Sequence, residues 1–217
     1  MIALLRYAIL RSAREKFLFA LLLAPSVMLL SPLLAIAALS VAKGQPAYPM
    51  SFDARISPAA AARMGGEIAL AMASLAAGAG GFWIFRREMA NRSVSFFLLA
   101  ARPQAVAFAA TIYGFLAGTT ASLIVMSGLA ALTHHWPASG RVFLVAMVSS
   151  LATSAMGTLL VTISSDESML LPVFGGSCVI AVSLMSAKTP AALPAAVVAI
   201  LLFAVSSSLL LRWRCPV

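Results

Sequence analysis

Long apolar runs separated by short polar segments set the pattern of this chain. An α-helix needs about 20 mostly apolar residues to cross a bilayer. The runs therefore predict six transmembrane helices, at about residues 16–42, 64–84, 105–132, 141–163, 169–187 and 191–211. We expect an all-α integral membrane protein in which residues 1–217 form a single transmembrane domain.

The first fifteen residues follow a different pattern, because they are too short and too charged to span a membrane. On a helical wheel their apolar and charged side chains separate, with Ile2, Leu5, Ile9 and Ala13 on one side and Arg11, Arg14 and Glu15 on the other. A helix of this kind lies in the membrane interface with its basic side chains toward anionic headgroups. Residues 1–15 are thus predicted to form an amphipathic interfacial helix.

Composition supports the membrane class. The chain is 62% hydrophobic and 10% charged, whereas soluble domains are about 45–50% apolar and about 25% charged. Its net charge of +9 would suggest nucleic acid in a soluble protein. Here the basic residues flank apolar runs, which is typical of membrane-topology signals, so no nucleic-acid partner is expected. The two cysteines indicate neither a disulfide framework nor a metal site.

The distribution of basic residues predicts the orientation. If the amino terminus is inside, ten Lys and Arg residues fall in cytoplasmic segments and five fall outside. Cytoplasmic loops carry an excess of Lys and Arg, so both termini are expected in the cytoplasm. The segment 85–104 is then also cytoplasmic.

This segment is the strongest candidate for a binding site. Within its sequence FRREMANRSVSFFLLAARPQ it carries Glu88 and four arginines, at positions 86, 87, 92 and 102. A charged side chain at the centre of a membrane helix costs roughly 2.5 kcal/mol or more. The segment must therefore face solvent, and its composition suggests that it docks another protein.

A second candidate is a face of the predicted fourth span. Small and hydroxyl residues recur there at intervals of three to four, namely Ser150, Ser154, Gly157, Thr158 and Thr162. This spacing places them on one side of a helix. The stripe is either a close helix-packing face or the lining of a substrate path, and the sequence does not decide between them. Glycines of the second and third spans would likewise let helices approach closely.

The sequence motifs of common enzymes are missing. There is no GxxxxGK[ST] phosphate loop, no HExxH helix and no GxSxG turn. His134 and His135 are adjacent, unlike helical zinc ligands, which are four residues apart. We expect no catalytic residues, no metal site and no directly bound cofactor.

The order of these features resembles the permeases of type-2 ATP-binding-cassette (ABC) exporters. The resemblance rests on the basic amphipathic start, the two spans that follow, and an inner segment with Arg87-Glu88, Leu98-Leu99 and Arg102-Pro103 before the third span. It implies a coupling helix in residues 85–104 that fits a groove of a separate ATPase subunit, which binds ATP and Mg. Carried over by position, the ATPase contact would include Arg86, Arg87, Glu88, Asn91 and Arg92.

The resemblance also implies a function. The chain would be the permease subunit of an exporter in the inner (cytoplasmic) membrane, paired with a second copy or a related permease chain and surrounded by lipid. Its cargo would be a small molecule, a lipid or a peptide. Only Lys188, Thr189 and Pro190 separate the fifth and sixth spans. Such a short connection is compatible with a compact member of the family, such as the haem-exporter-like permeases. The alternative is a non-transporting membrane scaffold or assembly subunit whose inner loop binds another protein.

Overall fold

The computed structural model describes residues 6–7, 9–10, 58–90, 98, 101–133, 140–186 and 192–214. Within these residues all regular structure is helical. The helices are α1 (Pro58–Ala90), α2 (Pro103–Thr133), α3 (Gly140–Ile163), α4 (Leu170–Ser186) and α5 (Ala192–Arg214), with a short 3₁₀ turn at Glu167–Met169 before α4. The predicted all-α class is confirmed for the described residues.

Proline marks the start of α1 and of α2. Proline suits the first position of a helix, because the N–H that it lacks would have no intrahelical partner there. At α2 the carbonyl of Arg102 accepts the N–H groups of Ala105 at 2.8 Å and Val106 at 3.2 Å. These bonds turn the chain out of the 85–104 segment and into the helix.

The first helix is longer than the sequence pattern predicts. We placed the end of the second span at residue 84, where the charges begin, but α1 continues to Ala90. Residues 85–90 contain neither Gly nor Pro, and Arg, Glu, Met and Ala are good helix formers. The change from apolar to charged residues marks the expected edge of the hydrocarbon, not the end of the helix.

Among the described residues, four helical segments are long and apolar enough to cross a membrane, at Pro103–Ser127, Phe143–Ile163, Glu167–Leu184 and Pro194–Trp213. The apolar stretch of α1, Leu70–Ile84, is shorter. The predicted first span at 16–42 lies outside the described residues. Of the predicted interfacial helix, residues 6, 7, 9 and 10 are described, and these are helical and exposed.

The helices form an inner group and an outer pair. Helix α1 packs most extensively against α2 and α3, while α4 lies against α1 and α3, and α5 against α3 and α2. In α2 and α3, 56% of the membrane-length window is buried inside the chain, compared with 17% in α4 and α5. The outer pair therefore presents its large apolar side chains outward, where lipid would solvate them.

Candidate functional site

Three parts of the chain meet at one end of the bundle, which we call the charged end. It comprises the described residues of the segment 85–104 (85–90, 98 and 101–104), the connector 164–169 between α3 and α4, and the last turns of α5. Leu98 is buried there in an apolar cluster with Ile84, Val106, Ala107, Ala110, Tyr113 and Leu211. This cluster includes residues of α1, α2 and α5, so Leu98 belongs to an apolar core that three helices share.

Arg86 joins the 85–104 segment to the connector. Its Nη2 donates to Oε1 of Glu167 at 2.6 Å, and its Nε donates to the carbonyl of Ser165 at 3.2 Å. The guanidinium also lies 5.2 Å from the centre of the Trp83 ring, within range of a cation–π interaction. Two of its donors and one face of its plane are therefore engaged within the chain.

The remaining predicted ATPase-contact residues are described to different degrees. Arg87 and Glu88 lie in the last turns of α1, and only their helical backbone is described. Asn91 and Arg92 lie outside the described residues. Arg102, which is not one of the predicted contact residues, is exposed just before α2.

Sequence reasoning missed Glu167 as the partner of Arg86, and Leu98 as an anchor. A signal for the first exists in the predicted topology, because residues 164–168 connect the fourth and fifth spans and so fall on the same side of the membrane as the segment 85–104. Within this connector, Asp166 is the residue before the 3₁₀ turn Glu167–Met169. Asp166 occupies the N-cap position but makes no side-chain cap hydrogen bond, and its N–H instead donates to Oγ of Ser164 at 3.3 Å.

The ion pair between Arg86 and Glu167 should contribute only modestly to stability. Its side chains are 23% and 74% exposed, respectively, and exposed pairs contribute about 0.2–1 kcal/mol. We expect a double-mutant cycle with Arg86→Gln and Glu167→Gln to give a coupling energy in this range, which decreases as salt increases. Detergent-titration unfolding would measure it. A cycle with Arg102→Gln in place of Arg86→Gln is the control, and equal coupling in both cycles would contradict a specific pair.

The predicted hydroxyl stripe lies between helices. Ser150, Ser154, Thr158 and Thr162 are all at most 1% exposed, and Gly157 is also buried. Ser154 Oγ donates to the carbonyl of Thr111 in α2 at 2.6 Å, and the hydroxyls of Thr111 and Thr158 are 3.4 Å apart. These contacts connect α3 to α2.

A second hydroxyl contact connects α3 to α1 and lies outside the predicted stripe. Ser74 Oγ and Ser149 Oγ are 2.6 Å apart, and both residues are fully buried. Ser74 also donates to the carbonyl of Leu70 within its own helix, at 3.0 Å. Hydrogen bonds between membrane helices are worth about 0.6 kcal/mol on average, so this pair aligns the helices more than it holds them together.

Glycines allow the inner helices to approach at backbone distance. A Cβ at Gly80 would lie 3.1 Å from Cα of Gly114, where α1 crosses α2. A Cβ at Gly118 would lie 2.5 Å from the carbonyl oxygen of Ala73. The spacing of Gly114 and Gly118, which is also that of a helix-dimer motif, is therefore used within the chain.

The described residues contain no group of three or more His, Cys, Asp and Glu side chains that could hold a metal ion. His134 and His135 lie outside the described residues. Cys178 is exposed on α4 with a free thiol.

The four membrane-length helices and the apolar outer surface define an α-helical, multi-pass membrane protein. Comparison of the chain with protein-family models, with characterised proteins and with solved structures finds no match in any of the three.

Proposed function

We propose that this chain is the membrane-spanning permease subunit of an ABC transporter, which exports a small molecule, lipid or peptide with energy from a separate ATPase subunit. The observation that carries the proposal is the arrangement of the charged end. There Arg86 of the basic segment 85–104 pairs with Glu167 of the connector, and Leu98 of the same segment lies in an apolar cluster with residues of α1, α2 and α5. A force applied to this segment would reach most of the described helices.

The mechanism follows from this mechanical continuity. The partner subunit would bind ATP and Mg, and closure of two such subunits would move a segment lodged in one of them. Because α1 is helical through Ala90, a push near Arg87 and Glu88 would act along a continuous helix into the inner group. The Arg86–Glu167 pair would carry the same movement to α3 and α4.

The permease would work as a pair with itself or a related chain, because six spans rarely enclose a path alone. The charged end would then face the cytoplasm, with both termini on that side, and the membrane would be the inner membrane. The excess of basic residues in the segments assigned to the inside supports this orientation.

Reversing the charges in the last turns of α1 should weaken binding of the ATPase. With the double variant Arg87→Glu/Glu88→Arg, we expect the amount of co-purified ATPase to fall at least about tenfold. Disrupting charge pairs at an interface costs about 2–5 kcal/mol. Membrane insertion should not change, because these residues lie beyond the apolar stretch Leu70–Ile84. The measurement is gentle solubilisation of native membranes through a carboxyl-terminal tag, with mass spectrometry of the proteins that co-purify.

Arg63→Glu is the matched control, because it reverses a charge on the same helix at the opposite end. It should leave the amount of co-purified ATPase unchanged. A stoichiometric partner without a phosphate loop would contradict the transporter and favour the scaffold. Equal ATPase recovery with the double variant and the wild type would contradict the coupling role of this segment.

A further inference from the structure

Two arginines lie beside the apolar cluster of the charged end. Arg102 follows Ala101, which packs against this cluster, and Arg212 follows Leu211, which belongs to it. Both arginine side chains are exposed. Because α2 begins and α5 ends at this cluster, the two cationic side chains emerge at the same end of the bundle.

Neither arginine is neutralised by another residue that the structure describes. Arg86 pairs with Glu167, but the side chains of Arg102 and Arg212 make no ion pair or hydrogen bond with any described residue. In the described part of the charged end the sequence has five arginines and three acidic residues. This end therefore carries a surplus of positive charge, which attracts anions.

The outward face of α5 leads to Arg212. It carries a row of apolar side chains that are each 55–61% exposed, namely Val198, Leu202, Val205 and Leu209. Their spacing of three to four residues places them on one side of the helix. Trp213 lies four residues further on the same side and is 88% exposed. Tryptophan at the end of a membrane helix prefers the level of the lipid headgroups, so the apolar row ends at the membrane surface, next to Arg212.

This combination of groups fits a phospholipid with a net negative charge. The acyl chains of such a lipid would lie along the apolar row of α5, and its phosphate would accept hydrogen bonds from a guanidinium, which matches phosphate geometry. A zwitterionic lipid carries its own cation beside the phosphate, and the two arginines disfavour that cation. A soluble anion makes no use of the apolar row or of Trp213. The charges therefore select the headgroup, and α5 selects a lipid over a free anion.

We propose that Arg102, Arg212 and Trp213 form a binding site for the headgroup of an anionic phospholipid. The guanidinium of Arg212 donates hydrogen bonds to the phosphate, and Trp213 lies beside the glycerol region of the lipid. Arg102 adds a second positive charge beside the same cluster and raises the preference for a negative headgroup. This site does not depend on the proposed transport function, because it rests only on these three side chains and on the outward face of α5.

The test uses the full chain in vesicles made of equal amounts of phosphatidylglycerol, which is anionic, and phosphatidylcholine, which is zwitterionic. In paired samples one lipid or the other carries bromine on its acyl chains, because bromine quenches tryptophan fluorescence on contact. The signal of Trp213 is the difference between the protein with and without Trp213→Phe. We expect Trp213 to report a selectivity for phosphatidylglycerol of at least about fivefold, the effect of one arginine near an anionic lipid surface.

Two double variants test the role of the arginines. Arg102→Gln/Arg212→Gln should bring the selectivity close to one, because it leaves three arginines and three acidic residues in the described part of the charged end. This variant should fold, since both arginines are exposed and have no described partner to lose. Arg63→Gln/Arg141→Gln is the matched control, because it removes two positive charges from the ends of α1 and α3 that lie away from the charged end. It should leave the selectivity at Trp213 unchanged.

Three outcomes would overturn the proposal. A wild-type selectivity near one would show that the charged end does not choose an anionic lipid. An unchanged selectivity in Arg102→Gln/Arg212→Gln, or an equal loss in the control variant, would show that these two arginines are not responsible. Weak quenching by both lipids would show that Trp213 does not face the bilayer, which is the result expected if a second copy of the chain covers this face of α5.

Discussion

Gly157→Ala is expected to destabilise the protein by about 1–3 kcal/mol, whereas Gly175→Ala should be neutral or stabilise it by up to about 1 kcal/mol. A Cβ at Gly157 would press on the carbonyl oxygen of Gly78 and lie 3.1 Å from both the Gly78 carbonyl carbon and the Phe82 nitrogen. All three are backbone atoms of α1, so no side-chain rotation can make room. The two helices would have to separate, and overpacking of this kind typically costs about 1–3 kcal/mol, occasionally more.

Gly175 is the matched control, because it is also helical and a Cβ there would meet no atom within 4 Å. Alanine favours a helix over glycine by up to about 1 kcal/mol, and this gain applies at both positions. The comparison therefore isolates the helix contact. The measurement is the free energy of unfolding in mixed micelles, titrated with a denaturing detergent.

Gly176→Ala should fall between these two variants. Its Cβ would lie 2.6 Å from Sδ and 2.9 Å from Cε of Met156, and a methionine side chain can change rotamer at small cost. We thus expect a graded series in which backbone contact costs more than contact with a flexible side chain, and open space costs nothing. Equal losses at positions 157 and 175 would show that backbone contact between α1 and α3 does not limit stability.

The sequence predicts the helices better than it predicts their contacts. The third span was placed at 105–132, and α2 runs from Pro103 to Thr133. The fourth was placed at 141–163, and α3 runs from Gly140 to Ile163. In both helices the apolar run ends where the helix ends, so hydropathy locates both helix boundaries. At the end of α1 the apolar run and the helix do not end together, and hydropathy alone stops the helix too early.

The contacts of the charged end required the structure. Periodicity says which residues share a helix face, but not which helix covers that face. Arg86 and Glu167 are 81 positions apart, and their pairing depends on the docking of α1 beside the connector. For the same reason the stripe is predicted on α3, while its hydrogen-bond partner Thr111 on α2 is not.

Ser154→Leu is expected to destabilise the protein by several kcal/mol, whereas Ser154→Ala should cost only about 1 kcal/mol. Alanine removes the hydrogen bond to the carbonyl of Thr111, and such bonds between membrane helices are worth at most about 1.7 kcal/mol. Leucine needs volume that is already occupied, since a Cβ at Gly81 would come within 3.0 Å of the Ser154 hydroxyl. Space, more than hydrogen bonding, is therefore the limiting factor at this position.

Ser208→Leu is the control for adding a leucine to a membrane helix. Ser208 lies on the outer helix α5, is only partly buried, and donates its hydroxyl to Val205 of its own helix at 2.7 Å. It should tolerate leucine, and unfolding in detergent would compare the two variants directly. The outcome also decides between the two interpretations of the stripe. A Ser154→Leu protein that folds with normal stability but fails to transport would place a substrate path at this face, because only a face that is not filled by neighbouring helices can accept the larger side chain.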